Sequence, residues 1–132
     1  MRAAISRQSF EPGRRILAVS DIHGELDYFR ALLKKAAFGE SDTLVIVGDL
    51  LEKGPKSLET LQFVVQLRKE RDVRLVCGNC DWWHTILYSD ELRLTQNSMW
   101  YVNHKKNNLA RQMCEAIGYP VSESMDLTDM RD

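Results

Sequence analysis

Three short apolar stretches alternate along this chain with two longer segments whose apolar residues recur every three or four positions. The first stretch, Arg15-Ile16-Leu17-Ala18-Val19-Ser20, is bounded by turn residues and predicts a buried strand. Leu26, Phe29, Leu33, Ala36 and Ala37 then recur at helical spacing, and Gly39 is expected to stop that helix. Thr43-Leu44-Val45-Ile46-Val47 predicts a second strand, ended by Gly48-Asp49. Ser57 has the chemistry of an N-cap, and Glu59 offers an anion to the first turn of a second helix. Leu58, Leu61, Val64, Val65 and Leu67 form its apolar stripe. Val73-Arg74-Leu75-Val76-Cys77 predicts a third strand, closed by Gly78-Asn79.

This β-α-β-α-β order implies an α/β domain with parallel pairing and right-handed crossovers. Strands this continuously apolar are expected in a sheet covered on both faces. After residue 81 the pattern changes. Trp82-Trp83-His84 and the residues that follow are expected to continue as a helix. Asn103 to Ile117 predicts another, with Leu109, Met113, Ala116 and Ile117 on one face and Gly118 and Pro120 as its stop. The expected division is a lead-in over 1–14 and one domain over 15–132. Within that domain the motifs fall in 15–81, a helical extension in 82–118 and a polar tail in 119–132. Three strands are few for a doubly covered sheet, so the sheet is expected to be incomplete.

Composition narrows the classes. Of 132 residues, 44% are hydrophobic and 28% charged, an ordinary globular balance that excludes a wholly disordered chain. No apolar run is long enough to span a bilayer, and Met1 to Glu11 has no apolar region of the kind a secretory signal needs. Eighteen basic against 19 acidic residues give a net charge of −1, which does not suggest a nucleic-acid partner. Three cysteines, Cys77, Cys80 and Cys114, fit a reduced cytoplasmic setting better than a disulfide framework. The Cys77-x-x-Cys80 pair has no second pair to complete a zinc knuckle and reads as packing.

Each predicted strand is followed directly by a short polar motif: Asp21-Ile22-His23-Gly24, Gly48-Asp49, and Gly78-Asn79-Cys80-Asp81. Successive motifs stand roughly 30 residues apart, one strand–helix unit. Carboxyl ends of parallel strands share one edge, so Asp21, His23, Asp49 and Asn79 should converge there. Two carboxylates, an imidazole and an amide oxygen suit Mn, Fe, Zn or Mg rather than a thiolate-loving ion. Asp49 has the chemistry to bridge two such ions. Lys53, just before Gly54-Pro55, can hold a phosphate oxygen as a point charge.

These three blocks, in this order, resemble the calcineurin-like metallophosphoesterases. Their motifs read Asp-x-His-Gly, Gly-Asp-x-x-x-Arg-Gly and Gly-Asn-His-Asp/Glu. The branch is that of the protein serine/threonine phosphatases and the bis(5′-nucleosyl)-tetraphosphatases. Gly48 to Glu59 looks like the tetraphosphatase form in particular. The resemblance runs from about Arg15 to Asp81. It implies hydrolysis of a phosphoester or phosphoanhydride by water activated between two divalent metal ions. Asp21 and His23 would hold the first ion, Asp49 would bridge, and Asn79 would hold the second. Lys53 matches the phosphate-contacting Arg, Cys80 the His beside the leaving group, and Asp81 the acid that orients it. The implied substrate is a phosphorylated small molecule, such as a dinucleoside polyphosphate, or a phosphoprotein.

The chain departs from the pattern at several positions. Lys53 lacks the bidentate fork of Arg. Glu52 is one methylene longer than the Asp of the protein-phosphatase branch. Cys80 replaces His, and His84, four residues on, would stand in for it on a continuing helix. Downstream of Asn79 only His84 and His104 remain, whereas the family takes further metal-binding histidines from later strands. The chain thus reads as the amino-terminal half of a longer enzyme or a shortened relative. Two other readings are a catalytically inactive binding module that keeps the fold, and a homo-oligomer in which two chains complete one sheet or site between them.

Overall fold

The computed structural model describes residues 7–82 and 107–118. They form a three-stranded parallel sheet, β1 (Arg15–Val19), β2 (Asp42–Val47) and β3 (Asp72–Val76), in the order β1-β2-β3. Three helices accompany it: α1 (Leu26–Lys35), α2 (Ser57–Glu70) and α3 (Leu109–Ile117). Register sets Leu17 beside Leu44 and Leu44 beside Val73, and Val19 beside Ile46 and Ile46 beside Leu75. These side chains share one face. Leu44, Ile46 and Val73 are buried there with Phe29, Leu33, Val64 and Leu109 from the helices.

Strands that advance in one direction through right-handed crossovers send both connecting helices to the same face. The Phe29 and Phe63 rings meet edge-to-face at 5.8 Å and join α1 to α2 there. The opposite face is therefore not doubly covered within the described residues, as the apolar strands had predicted. Ile16, Val47 and Val76 are exposed on it. The lead-in covers part of it instead: Arg74 lies 4.3 Å over the Phe10 ring and donates to Gln8 at 2.8 Å.

Local chemistry moved several boundaries. α1 ends before Gly39: Phe38 N–H donates to Leu33 O and Ala37 N–H to Lys34 O. That is a Schellman stop with Ala37 in the left-handed position usually held by glycine (φ 47°). Ser57 does not cap α2 but lies inside it, and its hydroxyl oxygen accepts from Glu52 N–H at 2.9 Å. Val65 points to solvent, off the predicted stripe. In α3 the buried residues are Leu109, Ala110 and Cys114, whereas Ala116 and Ile117 are exposed. Asn108 caps that helix by accepting from Arg111 N–H, and Gly118 ends it in the left-handed region, as expected. Cys77 lies just beyond β3 and is exposed, not packed into the sheet. The expected helix after Trp82, the 103–106 stretch and the 119–132 tail lie outside the described residues. No helix among the described residues is long and apolar enough to cross a membrane.

An ion pair ties β1 to the start of β2. Arg15 Nε donates to Asp42 Oδ1 at 2.9 Å and Nη2 to Oδ2 at 2.7 Å, while Gly39 N–H also donates to Oδ2. The Arg15 hydrogen bond, and then the Gly39 amide, hold the Asp42 carboxyl down at about 2. A carboxylate held below its unfolded value stabilises the fold above the unfolded pKa and stops doing so as pH falls through the folded one. Stability to denaturant is therefore expected to decline between about pH 4 and 2. Asp42→Asn should flatten that limb of the profile; an unchanged slope would mean that the pair contributes nothing.

Candidate active site

The turns that follow the three strands meet at one edge of the sheet. Asp21 N–H donates to Gly48 O, His23 N–H to Asp49 O and Gly24 N–H to Leu50 O, lacing the turn after β1 to the turn after β2. The turn after β3 is pressed against the turn after β2. A Cβ on Gly48 would stand 2.8 Å from Gly78 Cα, and one on Gly78 would run into the Asp49 amide and carboxylate. Only glycines permit that approach.

The backbone is strained at the same place. Asp21 (φ 54°), His23 (φ 49°), Asp49 (φ 51°), Glu52 (φ 73°) and Lys53 (φ 70°) all lie in the left-handed region. Among the described residues, Ala37 is the only other non-glycine there. Left-handed backbone costs a residue with a Cβ roughly 1–2 kcal/mol, and such strain gathers at functional sites.

Of the four side chains that the motif spacing brought together, Asp21, His23 and Asp49 face one another and Asn79 does not join them, while one further residue does. His23 Nδ1 lies 3.2 Å from Leu51 O. A carbonyl oxygen only accepts, so Nδ1 carries the proton and Nε2 presents its lone pair. Asp21 Oδ1 lies 3.6 Å from that Nε2 and Asp49 Oδ2 3.8 Å from it. Three electron-rich atoms thus face one another, and the Lys53 ammonium donates to one of them, His23 Nε2, at 2.8 Å. Such a donor set fits a divalent cation. The addition is Cys80, whose sulfur joins His23 and Asp49 in a group with ligand atoms all within 4.8 Å of one another. Asp49 Oδ1 accepts from Cys80 N–H at 3.1 Å. Burial, and next the Asp49 carboxylate, push the Cys80 thiol above its usual range.

Other predicted residues are placed differently from the central group. Asn79 is exposed, with its amide donating to Cys80 Sγ at 3.7 Å. Both oxygens of Asp81 receive backbone amides, Leu51 N–H at 3.0 Å and Gly78 N–H at 3.0 Å. Asp81 therefore binds the turn after β3 to the turn after β2. Its bond to Gly78 is the return half of a capping box, since residues 79–82 are helical. His84 lies outside the described residues.

A second group was not legible in advance. Glu52 is 1% exposed, and its Oε1 accepts from Leu109 N–H at 2.8 Å, at the start of α3. Asn107 donates to Lys53 O at 3.0 Å. Gln112 donates to Pro55 O at 3.1 Å and accepts from Leu58 N–H at 2.8 Å. Together they clamp α3 onto the segment that carries Lys53. Only the Asn-Asn pair before the helix, an N-cap signal, hinted at this join. On the other side of the site an open cleft of about 490 Å³ runs beside Asp21 and His23, lined by Val19, Ile22, Tyr28 and Leu32.

The family model described as calcineurin-like phosphoesterase matches residues 14–127. The chain belongs to the calcineurin-like phosphoesterase family. A Neisseria gonorrhoeae protein named symmetrical bis(5′-nucleosyl)-tetraphosphatase is 49% identical to this chain over 65 residues, covering 48% of this chain and 23% of that protein. A Vibrio cholerae protein of the same name is 52% identical over 64 residues, covering 48% and 23%. The match thus spans less than a quarter of the length of these curated relatives. Among solved structures, a metallophosphoesterase from Sphaerobacter thermophilus is similar at 30% identity, with a TM-score of 0.44 over 60% of this chain and 29% of that one.

Proposed function

We propose that this chain carries the metal- and phosphate-binding half of a divalent-metal-dependent hydrolase. Its substrate would be a phosphorylated small molecule, with dinucleoside polyphosphates the favoured class. The observation that carries the reading is the convergence of His23, Asp21 and Asp49 on one point at the carboxyl edge of a parallel sheet, with Lys53 beside them. The names of the curated relatives support the substrate class over a phosphoprotein.

Asp21, His23, Asp49 and the nearby Asn79 are the residues that would hold one or two ions. A bound divalent ion supplies Lewis acidity toward a phosphoryl oxygen and toward water. The chain's own groups do the rest. Leu51 O fixes the His23 ring so that Nε2 faces inward. Lys53 is exposed on a flexible stem, so its ammonium can leave His23 and offset charge on phosphate. The cleft beside Asp21 has room for an organic group attached to that phosphate. Cys77, Cys80 and Cys114, none of them in a disulfide, suit a reducing compartment.

The second reading, a binding module without turnover, is favoured by Cys80 standing where the family motif has His. Hydrolysis of p-nitrophenyl phosphate and of diadenosine tetraphosphate by the purified chain separates the two. Activity that disappears on chelation and returns with added Mn²⁺ or Zn²⁺ is the expected result. Metal binding without turnover of either substrate would select the binding module.

A further inference from the structure

We propose that Cys80 is itself a metal ligand, so that this site takes a zinc-like ion through nitrogen, oxygen and sulfur. The proposal rests on the reading that His23 and Asp49 hold a divalent ion. Motif spacing offered an all-nitrogen-and-oxygen set, and the family resemblance placed the residue after Asn79 beside the leaving group. The structure brings the Cys80 sulfur into the same group as the His23 nitrogen and the Asp49 carboxylate.

One contact holds Cys80 there: its N–H donates to Asp49 Oδ1 at 3.1 Å. The sulfur lies within 4.8 Å of both a His23 ring nitrogen and an Asp49 carboxylate oxygen. In tetrahedral zinc sites Zn–S is ~2.3 Å and Zn–N ~2.0–2.1 Å, so neighbouring ligand atoms stand roughly 3.5 Å apart. The three donors, all within 4.8 Å of one another, need close by little more than an ångström to share one ion. All three are only partly buried, which leaves room for that movement and for a fourth, open position. Three protein ligands plus an open position is the arrangement of a catalytic zinc site. A thiolate also discriminates: it favours zinc and cobalt, whereas manganese and magnesium prefer oxygen.

Titration of the full chain with Co²⁺, followed by absorbance, tests this directly, because a coordinated thiolate adds a near-ultraviolet charge-transfer band. The band is expected in the wild type and in Cys77→Ser, and should vanish in Cys80→Ser. Calorimetry should show zinc affinity lowered more than about tenfold in Cys80→Ser, with manganese affinity almost unchanged. Cobalt binding without the band, or a band that survives in Cys80→Ser, overturns the proposal. If Asp49→Asn still abolishes cobalt binding in that case, the metal-site reading stands with sulfur outside it. If Asp49→Asn binds cobalt as the wild type does, or the wild type binds none, the site reading and the proposal fall together.

Discussion

Asp49→Asn is expected to lower metal affinity, and with it metal-dependent hydrolysis, by more than about 100-fold; loss of mere outer-shell partners costs 10–100-fold. Asp49 is where the three turns meet. One of its oxygens faces His23 Nε2 at 3.8 Å and the other accepts Cys80 N–H at 3.1 Å. Asparagine keeps the volume and one acceptor oxygen, so the turn and its hydrogen bond can persist. What it removes is the charge that draws a cation between the carboxylates. Calorimetric titration with Mn²⁺ and Zn²⁺, alongside circular dichroism, checks the prediction. An Asp49→Asn variant that folds, binds metal and turns over like the wild type would place the chemistry elsewhere.

Glu52→Ala should destabilise the fold by about 2–4 kcal/mol, a large share of a typical domain's stability. The carboxylate is 1% exposed, and the Leu109 amide that it accepts from is buried as well. Truncation removes that acceptor and leaves a cavity under the segment that carries Lys53. It also frees two strained residues, Glu52 and Lys53, from what holds them. Glu52→Gln keeps an acceptor oxygen and should lose less than half as much. Denaturant melts read the stability, and phosphate inhibition of turnover reads the placement of Lys53. The Ala variant should bind phosphate more weakly even at temperatures where it is fully folded. Equal stability of the wild type and Glu52→Ala would show that the clamp does not hold the site.

The strands and the meeting of Asp21 and Asp49 at His23 were legible because parallel βα units impose a period. Each apolar run ends at the same edge, so Asp21, His23 and Asp49 could be brought together from spacing alone. What spacing does not encode is side-chain direction within a turn. That is why Asp81, which reads as an orienting acid, is occupied by the amides of Leu51 and Gly78. The same limit concealed how close the Cys80 sulfur lies to Asp49 and His23. Sheet coverage was misjudged for a different reason: apolar strands report that a face can be buried, not which segment buries it. The α3 clamp left almost no trace, since a buried Glu bonding to a helix start more than 50 residues away has no local pattern.

That separation also orders events in time. The contacts between residues 52–58 and 107–112 span 54 to 57 positions of the chain. At ~5–20 residues synthesised per second, about 3–11 s pass between the emergence of the loop and that of the helix. By the end of that interval the nascent protein holds every motif residue, but the contacts from Leu109 to Glu52 and from Asn107 to Lys53 have still to form. The segment that carries Lys53 is therefore the last part of the site to be fixed, and that happens only when a distant helix docks.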